Sequence, residues 1–170
     1  MDKSNITQIV TYSKNYKEVL GSHKDFTYYH LDKFEREEDI ETILNDIHRT
    51  LPDWTTAPTL QTIKDRLDAG TEGILQYYKG NITGWWWNAL FFTHDFVNKV
   101  SDLPTEGVYC GNTYIIKDIA PYSSGVRLYG YCIGKALEGI EAAYGYMDNW
   151  NTPSIKLCLI HGGIEEEWIQ

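Results

Sequence analysis

Residues 107–137, GVYCGNTYIIKDIAPYSSGVRLYGYCIGKAL, constrain the fold of this chain more than any other stretch. Residues 109–116 are rich in side chains that suit a pleated surface. Apolar groups fall on both parities there, as in a strand covered on both faces. Residues 120–125, Ala-Pro-Tyr-Ser-Ser-Gly, carry turn chemistry. Ile133, Ala136, Leu137, Ile140 and Ala143 then recur at helical spacing. The join, residues 127–132 (Arg-Leu-Tyr-Gly-Tyr-Cys), reads as the start of the helix. Free backbone N–H groups and the positive end of the helix dipole gather at such a start, so it suits an anion.

The other elements follow from pattern and punctuation. Ile6, Ile9, Val10, Tyr16, Val19 and Leu20 predict an amphipathic helix ending at Gly21. Residues 24–31 read as a strand. Residues 36–50 predict a helix with Ile40, Ile43, Leu44 and Ile47 on its inner face. The acids Glu35, Glu37, Glu38 and Asp39 complement its N-terminal dipole. Residues 59–69 predict a shorter helix closed by Gly70. Residues 73–79 and 82–92 read as two strands of a hairpin joined at Lys79-Gly80-Asn81. Trp85, Trp86 and Trp87 fall in the second, so Trp86 faces away from the other two. Residues 94–105 are a polar connection. Residues 145–150 read as a strand, 154–161 as a helix ending at Gly162-Gly163, and 165–170 as a last strand.

Length and composition narrow the classes. A chain of 170 residues suits one domain, here 1–170 with 1–21 as a helical extension. No apolar run approaches the ~20 residues that span a bilayer. The N-terminus lacks a signal pattern, so a soluble cytoplasmic protein is expected, with no membrane partner. A formal net charge of −9 argues against nucleic acid. It suits a cationic amine, or simply a soluble surface. Cys110, Cys132 and Cys158 form no disulfide framework, and the five His are scattered. No metal is implied.

With its elements in this order, the sequence resembles the GCN5-related N-acetyltransferases. In that family a strand leads into R/Q-x-x-G-x-G/A at a helix N-terminus, matched here by Arg127, Gly130 and, with a small side chain of another kind, Cys132. The segment N-x-x-A-x-x-x-Y-x-x-x-G-F is matched by Asn151, Ser154 for Ala, Cys158 for Tyr and Gly162, with Gly163 for Phe. The hairpin matches a frequent K/E-G-x-I-x-G.

The resemblance implies an α/β (α+β) fold. Its central sheet is mixed and mostly antiparallel, flanked by helices on both faces and splayed at the central strands. It implies acyl-CoA-dependent N-acyl transfer, from acetyl-CoA or a longer acyl-CoA to a small-molecule or peptide amine. The amine attacks directly. A catalytically degenerate acyl-CoA-binding module or a protein-interaction module of the same fold is the alternative. The protein is expected to be a monomer or homodimer. The implied cofactor-binding residues are Tyr114, Ile115 and Ile116 on the strand, Arg127, Leu128, Tyr129, Gly130, Tyr131 and Cys132 at the join, and Asn151. Glu106 is the candidate base. Cys158 and Tyr146 are candidate acids, with Tyr144 also open and packing the simpler role for Cys158. The family adds a strand after residues 165–170. This sequence does not offer one there, so the acceptor side is expected to be incomplete or built differently.

Overall fold

A computed structural model describes residues 5–89 and 107–167. In chain order the elements are β1 (Ile6–Tyr12), β2 (Phe26–Leu31), α1 (Glu37–Thr50), α2 (Leu60–Asp68), β3 (Glu72–Tyr78), β4 (Asn81–Ala89), β5 (Val108–Ile115), α3 (Ser124–Ala136), β6 (Ala142–Asp148), α4 (Thr152–Ile160) and β7 (Ile164–Glu165). The strands form one sheet in the order β2-β3-β4-β5-β6-β1-β7. Neighbours are antiparallel except β5 and β6. The expected mixed, mostly antiparallel sheet with helices on both faces is present.

Local chemistry explains the elements that the sequence predicted well. Lys79 and Gly80 both take positive φ, 49° and 81°, which is the two-residue turn that matches strand twist in a tight hairpin. Helix α1 buries Ile40, Ile43, Leu44 and Ile47 and carries Glu37, Glu38 and Asp39 in its first turn. Thr59 caps α2 in a reciprocal box with Thr62.

The sheet separates two cores. Under α1 and α2 lie Trp85 and Trp87, edge-to-face at 5.6 Å, with Leu75, Ile43 and Ile63. Under α3 and α4 lie Trp86, Ile9, Ile74, Leu128 and Ile133, and Trp86 meets Tyr129 edge-on at 4.9 Å. The three tryptophans thus divide between the faces as strand alternation requires.

Two expectations are corrected. Residues 6–12 are not helix but strand β1, which pairs with β6 along its whole length and with β7 at Ile9 and Val10. Five of the seven residues of ITQIVTY are β-branched, which favours a pleated ribbon. Buried on both faces, the strand has apolar residues at spacings that imitate a helix. Beside β6 the sheet is therefore completed from the N-terminal side. Residues 13–25 cross α3 and α4 instead: the Tyr16 hydroxyl donates to the Gly130 carbonyl at 2.5 Å, and Lys17 N–H to the His161 carbonyl at 3.1 Å.

The second correction concerns α3, which begins at Ser124 rather than near Gly130 and ends at Ala136, so that Ile140 lies beyond it and Ala143 lies in β6. The Arg127 N–H already bonds the Ser123 carbonyl at 3.0 Å, so the amides beyond it belong to the helix ladder. Among the described residues no helix is long and apolar enough to cross a membrane.

Candidate active site: a cleft through the sheet

Strands β5 and β6 pair only at Val108–Ala143, Tyr109–Tyr144 and Cys110–Gly145. Beyond these pairs both strands continue but part. The cause is visible on β5. Its ladder with β4 shifts register between Trp85 and Trp87, and Asn112 there takes a left-handed φ of 56°. An extra residue of this kind bends a strand and increases its twist. The parted strands enclose a cleft of about 700 Å³ lined by residues from both faces. Ile47, Leu51 and Trp54 line it on the α1 side, and Tyr129, Ser154 and Cys158 on the α3–α4 side.

Six of the candidate site residues from the sequence line this cleft: Tyr114, Tyr129, Tyr144, Tyr146, Asn151 and Cys158. Tyr114 stands on the open stretch of β5 and donates its hydroxyl to Asp46 Oδ2 at 2.7 Å. Burial pushes the Asp46 carboxyl up, yet hydrogen bonds from Tyr114 and Arg49 outweigh it and hold the group below its ordinary value. Ile115 follows on the same stretch, but the Ile116 N–H is taken by the Thr83 carbonyl at 2.9 Å. Asn151 precedes α4 without a side-chain cap bond.

The candidate acids lie on opposite sides. The Tyr146 ring stacks on Tyr109 at 5.7 Å toward the α1 core, and burial raises its hydroxyl above the usual phenol value. Cys158 is buried in the other core, and burial pushes its thiol up to about 12. Glu106 lies outside the described residues.

The join behaves differently from its reading as an anion loop. Leu128 and Cys132 are fully buried in the α3 core, and burial pushes the Cys132 thiol well above its ordinary value. Tyr131 points away from the cleft and stacks on Tyr28 at 3.8 Å. Gly130 lies within the helix, where an added Cβ would stand 2.8 Å from His161 Nε2. It is a packing glycine. Arg127 donates to the Gly21 carbonyl at 2.7 Å and lies over the Phe26 ring, which ties down the crossing segment.

The N-terminal turn of α3 offers what residues 127–132 do not. Ser124 N–H bonds Pro121, but the N–H groups of Gly125 and Val126 have no backbone partner among the described residues. Ser124 Oγ is buried without a hydrogen bond. Gly125 stands beside Ile115 of β5 and Leu157 of α4, at the open end of the split strand. The Pro-Tyr-Ser-Ser-Gly turn signalled this start.

Three other features were missed. The Tyr129 side chain, read for its backbone only, donates its hydroxyl to Ser154 Oγ at 2.9 Å inside the cleft. Its spacing of four from Ile133 already placed both on one helical face. Trp54 and Trp150 also line the cleft, on loops that sequence pattern does not place. Among the described residues no group of His, Cys, Asp and Glu is arranged to hold a metal.

Comparison with known proteins shows the fold. No family model matches the sequence, and no curated protein matches it. Among solved structures, a GCN5-related N-acetyltransferase from Kribbella flavida superposes with a TM-score of 0.55 at 12% identity, over 94% of this chain and 53% of that one. AAC(6')-Iy in complex with the bisubstrate analogue CoA-S-monomethyl-acetylneamine gives 0.58 at 16% identity, over 88% and 95%. An aminoglycoside acetyltransferase from an uncultured soil metagenomic sample, in complex with trehalose, gives 0.61 at 11% identity, over 86% and 93%. The chain spans about half the length of three of the similar structures, at 57%, 47% and 53%. This chain thus has the fold of the GCN5-related N-acetyltransferases.

Proposed function

We propose that this chain, built on the GCN5-related N-acetyltransferase fold, is an acyl-CoA-dependent N-acyltransferase. The observation that carries the reading is the parting of β5 and β6 beyond Cys110 and Gly145, with an anion-suited helix start beside it. The free amides of Gly125 and Val126 would hold the diphosphate of CoA. The unpaired edge of β5 at Gly111–Ile115 would bond the pantetheine amides, as a strand takes up an extended ligand. The thioester then lies in the cleft between the two cores. A diphosphate held on main-chain donors needs little help from Arg127, whose guanidinium is already engaged.

The acceptor amine would enter from the α1 side and attack the thioester carbonyl as the neutral base. The C–N bond forms, the C–S bond breaks, and the thiolate leaves with a proton. Holding both reactants in one cleft supplies much of the rate. Glu106, immediately before Gly107 in sequence, is the proposed base. Tyr129, held by Ser154, and Cys158 share the side on which the thiolate would depart, and Tyr146 faces the acceptor side.

A second reading is an acyl-CoA-binding module without turnover. The buried Cys158 thiol favours it, because a thiol held protonated to about 12 is a weak acid. Thermal unfolding with acetyl-CoA separates the readings. A site-specific ligand at 100 times its dissociation constant adds about 2.7 kcal/mol of stability. Stabilisation with thiol release over a panel of amines supports the transferase. Stabilisation without release supports the module, and no stabilisation by any CoA species overturns both.

A further inference from the structure

We propose that the acceptor is a monoamine with a flat aromatic body, rather than a polyamine or an amino sugar; this rests on the transferase reading and names its substrate class. The α1 end of the cleft is walled by rings. Tyr109 and Tyr146 stack within it, and Trp54 and Trp150 also line the cleft with 39% and 78% of their surface exposed. Trp54 is held by its loop: its N–H bonds the Leu51 carbonyl, and its indole donates to Thr56 Oγ1 at 3.1 Å. Trp150 sits within a turn closed by the Asn151 N–H on the Asp148 carbonyl. Two large, partly exposed rings lining one cleft offer apolar surface that a third ring covers.

Charge separates the acceptor classes further. Among the described residues that line the cleft, the only carboxylate is Asp148. Strand alternation puts it on the face of Tyr144 and Tyr146. One carboxylate suits one ammonium, and indole faces add attraction for a single cation. A polyamine or amino sugar would bring several cations into a wall of rings where, among the described lining residues, Asp148 alone is there to pair them, and unpaired charges are costly to desolvate. The structurally similar aminoglycoside acetyltransferase shows that the fold does not decide the acceptor. The cleft lining does.

The test is calorimetric titration of the whole chain with 2-phenylethylamine, n-butylamine and spermidine, each with and without saturating CoA. The aryl amine is expected to bind at least about tenfold more tightly than either other amine, the scale set by a fitted apolar pocket. Trp54→Ala and Trp150→Ala should each erase most of that preference while circular dichroism and melting stay as in the parent. Spermidine binding as tightly as the aryl amine, or a preference unmoved in both variants, overturns the inference. The outcome for the underlying reading is separate. If CoA does not bind but the aryl preference holds, the transferase falls and the aromatic-amine site stands. If CoA binds and the preference is absent, the reverse follows.

Discussion

Strand β5 has two edges built in opposite ways. Toward β4 it is paired from Tyr109 to Ile115, and the tryptophans of β4 fill both faces behind that seam. Toward β6 it is paired at three positions and then released. One strand therefore joins a region that is closed and apolar to one that is open and lined by hydroxyls and rings. The left-handed Asn112 and its bulge stand between the two. Such backbone persists only where its surroundings over-determine it, and the tryptophan seam supplies that surround. The closed edge holds the shape that the open edge uses.

The contrast is broken most directly at Trp87. Its indole is fully buried and lies against Gly73, where a Cβ would stand 2.6 Å from the ring. Trp87→Ala should lower unfolding free energy by about 3–5 kcal/mol, measured by urea denaturation. A loss below about 1 kcal/mol, the scale of surface changes, would mean that the closed seam does not carry the fold.

Two glycines on α3 sharpen the comparison. Gly130→Val drives a side chain into His161 and should cost about 1–3 kcal/mol by overpacking. A Cβ at Gly125 meets only the ends of two flexible side chains, Leu157 at 3.3 Å and Ile115 at 3.5 Å. The stability of Gly125→Val should stay within about 0.5 kcal/mol, but its affinity for CoA should fall about tenfold or more as the side chain crowds the amides. Equal effects of the two on stability and on affinity would erase the difference between the packing turn and the site turn.

A smaller effect belongs to His161, fully buried behind α3 with Nδ1 2.6 Å from the Leu157 carbonyl. Burial lowers its pKa despite that bond and the nearby Glu18 carboxylate. Unfolded His binds a proton near 6.5 while the folded ring does not, so stability is lost as pH falls below that value. The slope should reach at most about 1.4 kcal/mol per pH unit. His161→Gln should remove that part of the slope, read from unfolding midpoints between about pH 5 and 7.5. An identical slope in the variant would place the titration elsewhere.

The least change is expected at Cys158. If its buried thiol only packs, Cys158→Ala should alter thiol-release turnover less than about twofold, whereas loss of a working general acid costs about a hundredfold or more. A pH-dependent collapse would make the thiol the proton donor and would join the closed core to the chemistry of the open edge.

Much of this was legible locally. The Lys79-Gly80 hairpin, the inner face of α1 and the opposed tryptophans follow from turn geometry and from periods of 3.6 and 2. Strand β1 was misread because a strand buried on both faces loses its alternation, and apolar positions then fit a helix equally well. The start of α3 was misplaced because Gly130 matched a motif, whereas Pro121, Ser123 and Gly125 were the residues that ended the turn. A glycine in sequence does not say whether a ligand or a neighbouring helix needs its missing Cβ. The cleft members were found in part: Tyr114, Tyr146, Asn151 and Cys158 meet there, but the Tyr129 hydroxyl, Trp54 and Trp150 did not show their roles.

From β2 onward, sequence alone determined the kinds of element, their order and the faces that must be buried, because each depends on neighbours a few residues away. The tertiary structure decided where β1 pairs, which α3 amides remain free and which rings share the cleft. Those depend on strands far apart in the chain and on where their pairing stops. A bond that is not made leaves no period in the sequence, and the cleft is the space left where β5 and β6 cease to bond.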